Sequence, residues 1–133
     1  MNIIFTDIDG VLNPSFSKSW SKKSIAIYNR ICKDFDLIPV ISSTWRVKHS
    51  VAQLQAIFNE QGITAKILDC TPVLSDYRGI EIDQWLRENS WTKFVVIDDD
   101  VKQITPYVSN VVKVRGWIGL EEEHYDEIKL LMK

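Results

Sequence analysis

Five short apolar runs, separated by stretches with helical spacing, constrain this 133-residue chain more than any other feature. Residues 3–5, 37–41, 63–68, 94–97 and 111–114 are rich in Ile, Val, Leu and Phe, the pattern of strands buried on both faces of a parallel sheet. Between them, 21–35 places Ile25, Tyr28, Ile31, Cys32 and Phe35 at helical spacing. The same spacing recurs in 50–60, through Val51, Leu54, Ile57 and Phe58, and in 80–88, through Ile82, Trp85 and Leu86. Gly62 reads as the end of the second of these helices. A last helix is expected over 121–132, because acids open it and Lys129 and Lys133 lie near its close. Strands alternating with helices predict an α/β fold: a three-layer, Rossmann-like sandwich with a central, mainly parallel five-stranded sheet.

The length fits one domain over 1–133, with no internal repeat or linker. A hydrophobic fraction of 45% and a charged fraction of 26% are those of an ordinary globular protein, and no apolar segment is long enough to span a bilayer. Residues 1–5 run directly into a strand and lack the basic start and small-residue cleavage site of a secretory signal, so a cytoplasmic location is expected. Cys32 and Cys70 have no Cys or His at metal-finger spacing and read as reduced, structural thiols. A net charge of -2 argues against a surface built to neutralise many phosphates of a long nucleic acid.

Open parallel sheets bind ligands beyond the carboxyl ends of their strands. Four polar groups fall at that edge: Asp7 with Asp9 after the first strand, Ser42, Ser43 and Thr44 after the second, Arg78 before the fourth, and Asp98 to Asp100 after it. Converging carboxylates repel one another unless a hard cation neutralises them, and Mg²⁺ takes oxygen ligands in such a setting. A hydroxyl and a cationic side chain beside that metal suit phosphate oxygens, which need hydrogen-bond donors and positive charge.

The stretch Ile4-Phe5-Thr6-Asp7-Ile8-Asp9-Gly10-Val11-Leu12 resembles the first motif of the haloacid dehalogenase-like (HAD) phosphohydrolases. That family also has a Ser or Thr after the second strand, a Lys or Arg upstream of the fourth and an acidic pair after it; Ser42, Arg78 and Asp98-Asp99 follow in that order. Ser43-Thr44-Trp45-Arg46 and Arg78-Gly79-Ile80-Glu81-Ile82 look most like the small HAD domains of RNA-repair proteins. The resemblance implies a phosphatase without a cap domain, in which Asp7 attacks phosphorus and Asp9 protonates the leaving group and later activates water. It implies that Ser42 holds a phosphate oxygen and Arg78 balances charge. Mg²⁺ would be bound by Asp7, the Asp9 carbonyl, Asp98 and Asp99. The open site implied would admit a small phosphomonoester, a nucleotide or a nucleic-acid end.

Several positions carry alternatives. The family more often has Lys where Arg78 stands, which keeps Lys102 in view, and any of Ser42, Ser43 and Thr44 presents a hydroxyl. Arg46 is either a substrate clamp, with Ser43, or a surface residue. Trp20, Trp45 and Trp117 lie in loops that could reach the same edge, either to stack on a base or to pack in the core or at the rim, whereas Trp85 and Trp91 read as packing residues. Asp100 is expected to cap a following helix, and His49 and His124 to lie on the surface. The 7–10 stretch is not a calcium loop, since the glycine comes too early and Lys18 occupies the position of the bidentate Glu. A signalling receiver domain fits less well, because its acidic pair follows the first strand and its phosphorylated Asp the third. A HAD domain that only binds a partner is disfavoured by the intact Asp7 and Asp9.

Overall fold

The computed structural model describes residues 1–14 and 19–133. Five parallel strands, β1 (Asn2–Thr6), β2 (Leu37–Ile41), β3 (Asp69–Cys70), β4 (Lys93–Asp98) and β5 (Val111–Lys113), lie in the order β3-β2-β1-β4-β5. The helices are α1 (Lys22–Asp34), α2 (Val51–Glu60), α3 (Arg78–Glu88) and α4 (Glu122–Leu131), with one 3₁₀ turn at Thr44–Val47. This is the expected α/β sandwich with a five-stranded parallel sheet.

Alternation along β1 divides the core into two layers. Ile4 faces one side, packed with Tyr28 and Ile31 of α1, Leu54 and Phe58 of α2 and Ile128 of α4. Ile3 and Phe5 face the other, against Ile82 and Trp85 of α3, Phe94 and Ile104. Phe5 meets Trp85 edge-on, with ring centroids 5.5 Å apart. Each such fully buried side chain stabilises the fold by about 1.5–3 kcal/mol.

Helix starts follow local chemistry. Ser21 caps α1 by accepting from the Ser24 N–H at 3.1 Å, and Ser50 with Gln53 forms a reciprocal capping box on α2. The α4 start is less orthodox: Glu121 caps it, and His124 Nδ1 accepts from the Glu121 N–H at 2.8 Å. His124 is thereby buried, not a surface residue as expected.

The third strand departs from expectation. Residues 63–68 are not a strand; pairing is confined to Asp69–Cys70 against Val40 and Ile41. Helix side chains take the backbone groups that a ladder would use. Gln55 accepts from the Ile67 N–H at 2.7 Å and donates to the Ala65 carbonyl, while Asn29 accepts from the Thr64 N–H and donates to the Gly62 carbonyl. Ile63 and Ile67 are core residues even so, which explains the strand-like apolar pattern. Pro39, whose carbonyl accepts from the Leu68 N–H at 2.9 Å, turns its missing N–H toward the same side of β2.

Between β1 and β4 the strand order reverses, and an open sheet of this kind leaves a crevice there. The connection from β2 to α3 holds only the 3₁₀ turn, α2 and β3. Residues 15–18, in the β1–α1 connection where at most a small flap is expected, lie outside the described residues. No described helix is long and apolar enough to cross a membrane.

Candidate active site

Asp7 follows β1 directly, Ser42 follows β2, and Asp98 ends β4. The sheet's hydrogen bonds run one step beyond the strands: the Asp7 N–H donates to the Ile97 carbonyl at 3.2 Å, and the Ser42 N–H to the Thr6 carbonyl at 3.1 Å. Three residues far apart in sequence therefore stand side by side on adjacent strands. Asp7 is 4% exposed and Asp98 fully buried.

Arg78 opens α3, two residues earlier than the expected helix start, and its Nη1 reaches Asp7 Oδ1 at 3.3 Å and Asp98 Oδ2 at 2.5 Å. Asp98 Oδ1 accepts from the Asp100 N–H at 3.0 Å. Burial pushes the Asp7 carboxyl well above its ordinary range, the Asp98 charge adds to this, and Arg78 only partly opposes it. Asp98 is also raised by burial, with Arg78 opposing. Carboxylate oxygens of Asp7, Asp98 and Asp99 all lie within 4.8 Å of one another. Three carboxylates facing one guanidinium leave two uncompensated negative charges when all are ionised. That donor set, all hard oxygens, fits a divalent cation.

Asp99 is held by shape. A Cβ on Gly10, where φ is +83°, would run into the Asp99 carboxylate, and one on Gly116 would stand 2.7 Å from Asp99 Oδ2. Only glycine backbone fits so close on both sides. Gly116 lies after β5 and carries no sequence signal linking it to the acidic pair.

Asp9 points elsewhere. Its carboxylate is exposed and lies outside the three-carboxylate cluster, accepting from Trp45 Nε1 at 3.0 Å and from Asn13 Nδ2 at 3.2 Å. Asp9 and Asp7 nonetheless line one cleft of about 220 Å³, with Thr44, Arg78, Asp99 and Gln103.

In the loop after β2, the three hydroxyls separate. Ser42 Oγ is buried with no hydrogen-bond partner among the described residues. Ser43, also buried, caps the 3₁₀ turn by accepting from the Trp45 N–H at 3.2 Å. Thr44 is exposed and lines the cleft. Arg46 is neither surface residue nor substrate clamp in this arrangement: its side chain is 4% exposed and donates to the carbonyls of Ser42, Ser43, Thr71 and Pro72 and to Glu81 Oε1. Those five bonds use every guanidinium N–H, which leaves none for a phosphate.

Arg78, not the exposed Lys102, supplies the cation at the carboxylates. Residues 102–107 form turns where a capped helix was expected, and Asp100 accepts only a long 3.4 Å bond from the Lys102 N–H. His49 is half-buried, stacked on Trp45. Trp117 is 65% exposed, and Trp85 lies in the core. Among the described residues, Cys32 and Cys70 are free thiols.

A parallel α/β sheet with carboxylates after its first and fourth strands, a cation from the preceding helix and a hydroxyl after the second strand defines a HAD-type domain, a class that is generally hydrolytic. The chain belongs to the family described as the HAD domain in Swiss Army Knife RNA repair proteins, whose model matches residues 3–125. No significant match is found among curated proteins or among solved structures.

Proposed function

We propose that the protein is a Mg²⁺-dependent phosphatase that hydrolyses a phosphomonoester through an aspartyl-phosphate on Asp7, acting on a nucleotide or a nucleic-acid terminal phosphate. The observation that carries this reading is the buried Asp7 carboxylate, set between Arg78 and two further aspartates in a cleft shared with Asp9. The family's description, which concerns RNA repair, supports the substrate class.

An Asp7 carboxylate oxygen attacks phosphorus, the bond from phosphorus to the leaving oxygen breaks, and Asp9 gives that oxygen a proton. Asp9, now a carboxylate, takes a proton from water. The water oxygen attacks the aspartyl-phosphate, inorganic phosphate departs and Asp7 is restored. Asp7, the Asp9 carbonyl, Asp98 and Asp99 would hold Mg²⁺, which when bound supplies positive charge that keeps Asp7 ionised beside an anionic substrate. Arg78 neutralises charge at Asp7 and Asp98. Ser42 Oγ, with no hydrogen-bond partner among the described residues, is the hydroxyl assigned to a phosphate oxygen, with Thr44 at the cleft wall.

The test is a phosphatase screen with Mg²⁺ over an aryl phosphate, sugar phosphates, nucleotides and 3′- or 5′-phosphorylated oligonucleotides. Turnover is expected on the aryl phosphate as well as on nucleotides and phosphorylated oligonucleotides, and should vanish in Asp7→Asn. Undiminished turnover in that variant would sink the nucleophile assignment, and binding of a partner or of RNA without turnover on any phosphomonoester would sink the enzyme reading.

A further inference from the structure

We infer that Trp45 is a positioning residue for Asp9, fixing the carboxylate at the side of the cleft from which a leaving group departs. The inference rests on the reading of Asp9 as proton donor. An exposed aspartate is ordinarily free to change rotamer, and a proton donor that wanders loses the orientation on which transfer depends. Asp9 is exposed yet held at both oxygens, Oδ2 by Trp45 Nε1 at 3.0 Å and Oδ1 by Asn13 Nδ2 at 3.2 Å.

The indole is itself immobilised. Trp20 meets it edge-on with centroids 5.6 Å apart, and His49 stacks on it at 5.5 Å with 26° between the planes. His49 Nδ1 lies 2.9 Å from the Trp45 carbonyl, and Ser43 Oγ accepts from the Trp45 N–H. The next residue, Arg46, anchors the 3₁₀ turn through its five hydrogen bonds.

The chemistry of the two partners differs. An indole N–H only donates, so Oδ2 stays an acceptor while Trp45 is in place. Asn13 presents either an amide N–H or, turned over, a carbonyl, and so accommodates Oδ1 with or without a proton. A second cleft of about 540 Å³, lined by Asp9, Thr44, Trp45, Val47, Lys48 and His49, adjoins the pair of Asp9 and Trp45 and offers room for the leaving group.

The experiment compares kcat/KM, which reports only the steps through leaving-group departure, on phenyl phosphate and on 2,4-dinitrophenyl phosphate, whose good leaving group needs little protonation. The Mg²⁺-loaded wild type, Asp9→Asn and Trp45→Phe are measured; the phenylalanine keeps a ring against Trp20 and His49 but removes the N–H. Trp45→Phe is expected to lose about tenfold more on phenyl phosphate than on the dinitrophenyl ester, in the same direction as Asp9→Asn. Equal losses on both esters, or no loss, overturn the inference when Asp9→Asn does discriminate. If Asp9→Asn itself loses both equally, the proton-donor assignment fails and takes the inference with it. A second measurement does not depend on the folding of Trp45→Phe: the assigned Trp45 indole N–H resonance of wild type should shift in Asp9→Ala. An unshifted resonance overturns the inference.

Discussion

Arg46 and Glu81 form an ion pair at 2.7 Å with side chains only 4% and 5% exposed, joining the loop after β2 to the first turn of α3. Glu81 Oε2 also accepts from the Leu74 N–H at 2.9 Å. Together with the bond from Arg46 Nε to the Thr71 carbonyl, this pair ties the loop that carries Ser42 and the segment at Thr71 to the helix that Arg78 opens.

Removing one partner leaves a buried charge uncompensated, so Glu81→Ala should cost about 3–5 kcal/mol, read as a lowered urea midpoint. Arg46→Lys should restore little of the corresponding loss in Arg46→Ala, because three ammonium donors cannot serve five acceptors held in a guanidinium plane. Full rescue by Lys would contradict the five-bond arrangement.

The close fit around Asp99 predicts a metal phenotype without unfolding. Gly116→Ala puts a Cβ against Asp99 Oδ2 and forces that carboxylate to move. Mg²⁺ affinity should fall by about 10–100-fold, as for other displaced supporting groups, while the melting temperature of the metal-free protein changes little. Calorimetric titration with Mg²⁺ decides it; wild-type affinity would refute the role of the glycine.

Arg78 touches both Asp7 and Asp98 through the same nitrogen, Nη1. A single ammonium can occupy that point, so Arg78→Lys should retain activity within about tenfold, whereas Arg78→Ala should lose roughly a hundredfold or more in kcat. Comparable losses in the two variants would mean that the planar fork itself is required.

Without metal, the site carries a pH-dependent cost. The folded-state pKa of Asp7 lies well above the ordinary 3.8, so above that pH the folded chain binds more protons than the unfolded one. The associated stability is fully present below the unfolded value and is lost as pH rises through the folded one. In EDTA, the melting temperature of Asp7→Asn should therefore exceed that of wild type by a margin that widens from pH 5 to pH 7.5, and Mg²⁺ should narrow it. A margin independent of pH would show that Asp7 is not strained by its neighbours.

Much of the site was legible because its residues punctuate strands. Asp7, Ser42 and Asp98 each follow a run of buried aliphatic side chains, and parallel pairing makes such positions neighbours whatever lies between them. The same logic failed for residues 63–68, where apolar spacing records burial against α1 and α2, and side chains of Asn29 and Gln55 take the place of a ladder. Arg46 misled for a related reason: an arginine in a loop looks solvated until the carbonyls that surround it are brought together from two segments. His124 likewise reads as a surface residue until its ring is seen closing the start of α4.

The amino-acid sequence by itself determined the alternation of strands and helices, and with it which polar residues stand at the carboxyl edge of the sheet. Periodicity and the short-range chemistry of caps and turns act locally, so one chain read in order reveals them. Only the tertiary structure decided that Asp9 turns to Trp45 and away from the three clustered carboxylates, that Gly116 closes on Asp99, and that Arg46 spends its charge on Glu81. Each of these pairs residues from separate segments of the chain, and no local preference specifies which of their atoms meet once the core has brought the strands together.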